Sequence, residues 1–505
     1  MPARRTYAIA LLTAVLALPG SGCAALLGTY RTAPNGLAAD EDRLRQMLSS
    51  GHADAALQRL DRQAPDDDVL SALYEGVVAY YAGDYASSAD ILDIAGDLAD
   101  DRITKSISRS ALSLVSNDLA LPWEPGRTER LMIPYYAALA RVRLGDIEGA
   151  AVEARRLSLL LQQTGDAQEL PPRIAAMLHL VAAAMFEANG NHGEAGVARR
   201  STAALDSTLV VTPSPGGGGT VFVILEQGFV AHRVEQGLAV MLLPEEVHAI
   251  AHGEGELRAA AAGHVAGRVL AHATSDPWRD GSRYGRDDRM LYVPAPEHTD
   301  LPRTRRRRVC TPVKPDAADS AVADSAVQVR SGNAPEQVEC VEREEPIDEA
   351  PYLLKVSWPV YQRGFRPATD ALLSAAADTA LFAGPADLSL GVVADFERER
   401  ALIVARTIAR GATKLALAKG AEKRIEEKNE VAGRIVGLLG NLGSVLLERA
   451  DTRSWHLLPA GVSVARIDLP PGEHTLSVEV GGRMLALEPV TVTAGGVSVV
   501  PVRAW

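Results

Sequence analysis

Residues 64–97 read APDDDVLSALYEGVVAYYAGDYASSADILDIAGD, and this stretch sets the architecture of the first half of the chain. Asp66 follows Pro65 and is placed to cap a helix. Leu73, Val77 and Tyr80 recur at i, i+4 and i+7, which puts them on one helical face. Gly83-Asp84 breaks that helix, and a second is expected from Tyr85. Gly76 and Ser88 are small, so the two helices can approach closely. The segment predicts a helical hairpin.

Two more stretches repeat the pattern. Tyr135, Leu139 and Val142 mark a helical face, Gly145-Asp146 turns, and Ile147, Ala151 and Ala154 mark the returning helix. In LHLVAAAMFEANGNHGEAGVARRSTAAL (178–205), Ala183 and Phe186 precede a turn at Gly190-Asn191. Aligned on Gly83, Gly145 and Gly190, each copy has a small residue seven before (Gly76, Ala138, Ala183). Each also has one five after (Ser88, Ala150, Ala195). These spacings resemble tetratricopeptide repeats, which recur about every 34 residues. Here the turns are 62 and 45 residues apart, so a divergent array is expected, with extra helices near 101–130.

The expected fold class is α+β and multidomain. A tetratricopeptide-like helical domain covers 41–208, and a Gly-rich linker covers 209–219. The glycines 216–219 precede a strand and no Lys follows, which excludes a phosphate loop. A mixed strand and helix region, 220–302, opens on a buried strand at Val221–Leu225, with another at Leu238–Leu242. Residues 303–350 change character: RTRRRRVC (303–310), KPDAADSAVADSAVQ (314–328), then ECVEREEPIDEA (339–350). Large apolar residues are sparse and charges come in blocks, so a disordered insert is expected. Its arginines either touch anionic lipid or pair with the insert's own acidic tail. A strand plus long Ala-rich helices fill 351–450, with no stop signal before Gly440. From Val462 the period becomes two, with Leu476, Val478 and Val480 facing one way. That predicts a small antiparallel β domain at 451–505, with turns at 470–472 and 481–482.

The chain begins MPARRTYAIALLTAVLALPGSGCAALLG. Arg4 and Arg5 precede an apolar run, Ala8 to Leu18, which is too short for an ordinary membrane span. Small residues and Cys23 follow, the layout of a secretory signal over 1–22. LPGSGC resembles the bacterial lipobox, although Gly20 stands where an aliphatic residue is usual. The resemblance implies lipidation of Cys23, with 23–40 as a tether. Ala24 after the cysteine implies delivery to the outer membrane, facing the periplasm.

Net charge is −12. Loss of residues 1–22, with two arginines and no acid, takes it to about −14, which excludes nucleic-acid binding by bulk charge. Cys310 and Cys340 are a candidate disulfide in an oxidising compartment. In PEEVHAIAHGEGE (244–256), His248 and His252 share a helical face, as zinc ligands do, but Ala249 stands where a metalloprotease carries its general base. A third ligand is sought in Glu254, Glu256 or elsewhere. No catalytic residue and no cofactor beyond the lipid is expected. Trp455, in ADTRSWHLLPAGVSV (450–464), is expected to clamp the long helix onto the C-terminal sheet, with Arg453 satisfying Asp451 or backbone carbonyls. The alternative for Trp455 is an exposed ring that stacks on cell-wall sugars.

Four strings resemble a family of uncharacterised bacterial outer-membrane lipoproteins with tetratricopeptide-like repeats. They are GRTERLMIPYYAALARVRLGDIEGAAVEARRL (126–157), TVFVILEQGFVAHRVEQGLAVMLLP (220–244), YLLKVSWPVYQRG (352–364) and ADTRSWHLLPAGVSVARIDLPPGEHTL (450–476). The resemblance implies lipoprotein status, a helical first half and a β C-terminus, and no catalytic residue. It also implies a place near peptidoglycan synthesis. The charged insert departs from the family. The functional expectation is a lipid-anchored periplasmic scaffold that binds a protein partner through its helical groove. The rival is a metal-dependent or cell-wall hydrolase built on residues 220–300.

Overall fold

The structure, a computed structural model, describes residues 36–61, 69–105, 122–163, 170–209, 218–273, 278–279, 290–312, 338–376, 378–426 and 449–505. Several expectations lie outside them: the Cys23 lipidation site, the Asp66 cap, much of the helices sought near 101–130, the centre of the insert, and the stop at Gly440. None of the described helices is long and apolar enough to cross a membrane.

The chain is mixed helix and sheet. Among the described residues, eight helices come first: α1 (Gly36–Ser49), α2 (Ala53–Asp61), α3 (Val69–Ala82), α4 (Tyr85–Lys105), α5 (Arg127–Leu144), α6 (Ile147–Gln163), α7 (Pro172–Ala188) and α8 (His192–Leu205). The expected tether is therefore helical from Gly36. The eight form four hairpins, and each helix packs on the next from α3 to α8. Gly83, Gly145 and Gly190 have φ of +83°, +75° and +74°, the left-handed conformation that glycine adopts at a helix C-terminus without a Cβ penalty. Each turn closes identically: Asp84, Asp146 and Asn191 donate their N–H to the carbonyls of Ala79, Arg141 and Phe186. Gly51 makes a fourth such turn, φ +78°, with His52 donating to Met47. Close approach is real at Gly76: a Cβ there would lie 2.8 Å from Leu92, and its carbonyl accepts from Ser88 Oγ.

The remaining elements are β1 (Gly219–Gln227), β2 (His232–Leu242), α9 (Pro244–His252), α10 (Gly255–Ala273), β3 (Trp278–Arg279), β4 (Met290–Val293), β5 (Thr304–Pro312), β6 (Val338–Pro346), β7 (Tyr352–Gln362), β8 (Leu372–Ala375), β9 (Asp378–Leu381), β10 (Ala386–Asp387), α11 (Leu388–Glu426), β11 (Gly461–Leu469), β12 (Gly472–His474), β13 (Leu476–Val480), β14 (Arg483–Ala486), β15 (Val490–Val492) and β16 (Val497–Ala504). The C-terminal strands do not pair only with one another: β12 and β15 form a two-stranded ribbon, but β11, β13 and β16 each join a strand from earlier in the chain. β11 pairs antiparallel to β1 on one side, and β16 pairs parallel to it on the other. β13 joins β14 to β8, with Gly481 and Gly482 both at positive φ in the turn. The reason lies in β1, which is apolar on both faces and so needs cover on both. Phe222 and Ile224 enter the core shared with the helical hairpins. Val221, Val223 and Leu225 enter a second core with Leu373, Ile467 and Val478.

The sheet lies against the first helices of the hairpins: β16 meets α5 and α7, and β10 and β11 meet α7. The run from Leu131 to Ala140 in α5 and that from Ile174 to Phe186 in α7 are accordingly buried throughout. This junction is polar as well as apolar. Glu129 accepts from the Gly126 N–H (2.8 Å) and from the Trp455 N–H (2.7 Å). Asp395 of α11 accepts from the Thr128 N–H at 2.7 Å, a carboxylate at the positive end of α5. Glu226 pairs with Arg503, which lies over Trp505, Tyr81 and Phe229. Tyr74 bonds His456 at 2.8 Å, and burial pushes that imidazole well below its usual range.

Trp455 is fully buried, so it is no surface platform for sugars. It packs on Tyr136 of α5 in the core that also holds Val392 and Phe396 of α11. It thus clamps the helical half as well as the long helix. Arg453 does pair with Asp451 (2.8 Å), and its carbonyl accepts from Trp123 Nε1.

Trp455→Ala is expected to cost about 3–5 kcal/mol, read as a lower unfolding midpoint and faster proteolysis of both halves. Burial pushes the Asp395 carboxyl up to about 6 against the hydrogen bonds from Thr128. An acid whose folded pKa is raised holds its proton longer in the fold, so stability falls as pH rises from about 4 to 6, by about 2–3 kcal/mol. Asp395→Asn keeps an acceptor for Thr128 and cannot ionise. It should flatten the melting temperature over that window and raise it at pH 7.5.

Candidate functional site

The site is built on α9, α11 and the segment after β6. Pro244 opens α9 at a position where no backbone donor is needed. Glu246 accepts the Leu243 N–H at 2.9 Å with one oxygen and Arg268 of α10 at 2.6 Å with the other, which fixes the helix on its neighbour. Four residues apart, His248 and His252 then lie side by side, ring centroids 5.2 Å apart.

The third group is Glu349, not Glu254 or Glu256, which are exposed. Its Oε1 is 3.8 Å from His248 Nδ1 and 3.5 Å from His252 Nε2. Its Oε2 is 3.1 Å from Nζ of Lys419 on α11, and that ammonium is 2.9 Å from Glu422. Burial and the neighbouring His252 hold His248 below its usual range, outweighing Glu349. Burial pushes the Glu349 carboxyl up, but the bond from His252 and the charge of Lys419 outweigh it and hold the group at about 2. At neutral pH the cluster therefore presents an uncharged imidazole beside an ionised carboxylate. Ala249 is buried where a hydrolase of the His-Glu-x-x-His type carries its base. A cleft of about 250 Å³ at the other end of α9 is lined by Glu245, Glu297 and Arg303 and by none of these groups.

Glu349 is delivered by the segment expected to be disordered. Among its described residues, 304–312 and 338–346 are strands β5 and β6, paired along their full length, and Cys310 and Cys340 are disulfide-bonded. Opposite charges face each other at three positions of the ladder, Arg305 with Glu345, Arg306 with Glu344 and Arg308 with Glu342, while Arg307 faces Arg343 and reaches Glu345 diagonally. The arginines thus pair with the acidic tail, at 3.6–3.9 Å. Sparse apolar content argues against a buried core, not against a ribbon held by cross-strand charges and a covalent bond. The stem closes where Ile347 donates its N–H to the Arg303 carbonyl.

No protein-family model matches the chain, and no curated protein or solved structure matches it either.

Replacing 304–346 by a short Gly/Ser bridge, with Arg303 and Ile347 kept, should leave the melting temperature within a few degrees. The hairpin is expected to be independent of the cores, and a large drop would show that it packs on them.

Proposed function

We propose that the protein is a lipid-anchored scaffold or adaptor of the bacterial cell envelope, held at the outer membrane and facing the periplasm. The observation that carries this reading is the order Arg4-Arg5, apolar run, small residues, Cys23. The Cys310–Cys340 bond supports it, because such bonds persist mainly in oxidising compartments. The eight-helix stack is read as a divergent tetratricopeptide-like array, akin to the lipoprotein family named above. Peptidoglycan synthesis or envelope maintenance is the proposed setting.

In this reading the partner binds outside the groove expected from sequence. The inner helices α5 and α7 are covered by the chain's own strands, which leaves a protein partner the outer helices α4, α6 and α8. Ile94, Val152, Leu159 and Val197 are exposed there, among the ion pairs Arg155–Glu194 and Arg156–Asp97. A second reading, a metal-dependent hydrolase, is favoured by the convergence of His248 and His252 with Glu349. Ala249 speaks against it.

Cys23→Ser should release the protein from membranes or stall it as a precursor, with loss of acyl labelling. Thiol alkylation before non-reducing electrophoresis should find Cys310 and Cys340 protected. Unchanged membrane fractionation and labelling would remove the anchor from this reading.

A further inference from the structure

We infer that His248, His252 and Glu349 bind one divalent transition-metal ion of the zinc class. One ligand atom from each lies within 4.8 Å of the other two. An ion bound tetrahedrally to nitrogen and oxygen at about 2.0–2.2 Å sets its ligand atoms about 3.3–3.5 Å apart. The carboxylate-to-imidazole distances of 3.5 and 3.8 Å need to close by a few tenths of an ångström at most. The imidazole nitrogens, within 4.8 Å of each other, have up to about 1.5 Å to close, which asks for rotation of the two rings as well.

Two independent observations point to a ligand rather than to a plain ion pair. Nδ1 of His248 is buried and makes no hydrogen bond among the described residues. At 3.8 Å the carboxylate is too far to accept one from it. Secondly, Glu349 is held from behind. Lys419 takes Oε2 and Glu422 takes Lys419, so Oε1 is the oxygen turned to the histidines. Metal-binding carboxylates are oriented by partners of this kind.

Two imidazoles and one carboxylate suit zinc, copper, iron or nickel, whereas magnesium and calcium take oxygen. Three protein ligands leave a position for water. With Ala249 in place of a base, the ion's role is to clasp α9, the foot of the β5–β6 hairpin and α11 together. The inference stands whether or not Cys23 carries lipid.

The test uses the full chain purified in detergent, stripped with chelator, dialysed and titrated with Zn2+. Calorimetry and metal analysis should give about one equivalent, which excess Mg2+ or Ca2+ does not displace, and Co2+ should give the visible absorption of a tetrahedral site. Glu349→Gln, and His248→Ala combined with His252→Ala, should abolish stoichiometric uptake while far-ultraviolet circular dichroism stays the same. Lys419→Gln leaves every ligand in place and guards against misfolded ligand variants. It should weaken binding about 10–100-fold. Zn2+ should raise the wild-type melting temperature and leave that of Glu349→Gln unmoved. No zinc uptake by the wild type, or uptake unchanged in the ligand variants, overturns the inference.

Discussion

Glu129 is a carboxylate taken almost wholly out of water at the start of α5, and the joint between the two halves of the molecule rests on it. One oxygen satisfies the N–H of Gly126 and the other that of Trp455. Burial raises the pKa of the group, and the nearby charge of Arg233 with the two backbone bonds pull the other way. A buried charge survives only when it is both paired and hydrogen-bonded. Here the satisfaction of the charge and the docking of residue 455 are the same event, because the second donor lies 326 residues from the carboxylate. Removing the carboxylate would orphan two backbone donors at once.

That joint decides what the helical stack can do. A stack of helical pairs leaves the faces of its first helices open, and these are the usual place for a guest. In this chain the place is taken by β10, β11 and β16, which are held there by the demands of β1. A strand that is apolar on both faces must be covered on both, and each layer of cover is itself a layer with a second face to satisfy. The sequence VFVIL at 221–225 therefore dictates three layers: hairpins, central sheet, and the β8–β13 sheet. Separate domains at 41–208 and 451–505 would leave one face of that strand in water.

Local signals were legible and long-range ones were not. The turns at Gly83, Gly145 and Gly190 announce themselves because a left-handed cap is a property of a few adjacent residues. The turn at Gly51 was hidden because Leu44, not a small residue, stands seven before it, although Ala56 stands five after as in the other copies. Its distance from Gly83, 32 residues, is the separation closest to a regular repeat. The β5–β6 ribbon was hidden by composition, yet its register is written in the chain. Reading backward along the Arg run from Cys310 and forward along the acidic run from Cys340 sets opposite charges face to face, except where Arg307 meets Arg343. Glu349 carried no such mark. It lies 97 residues from His252, among acids like itself, and only the closure of the ribbon brings it to the histidines.

The ribbon therefore does more than decorate the surface. Its disulfide joins residues 30 apart, which removes about 3–4 kcal/mol of chain entropy from the unfolded state on the loop-closure account. The benefit falls on the stem, where Arg303 and Ile347 meet two residues before Glu349. The other side of the cluster is set by α11. Asp395, near the start of that helix, caps α5, and Lys419, 24 residues on, holds Glu349. At 1.5 Å per residue these contacts are about 36 Å apart along one rigid axis. The helix cannot slide to loosen Lys419 without pulling Asp395 from the Thr128 N–H, so the geometry of the histidine cluster is inherited from the buried junction at the far end.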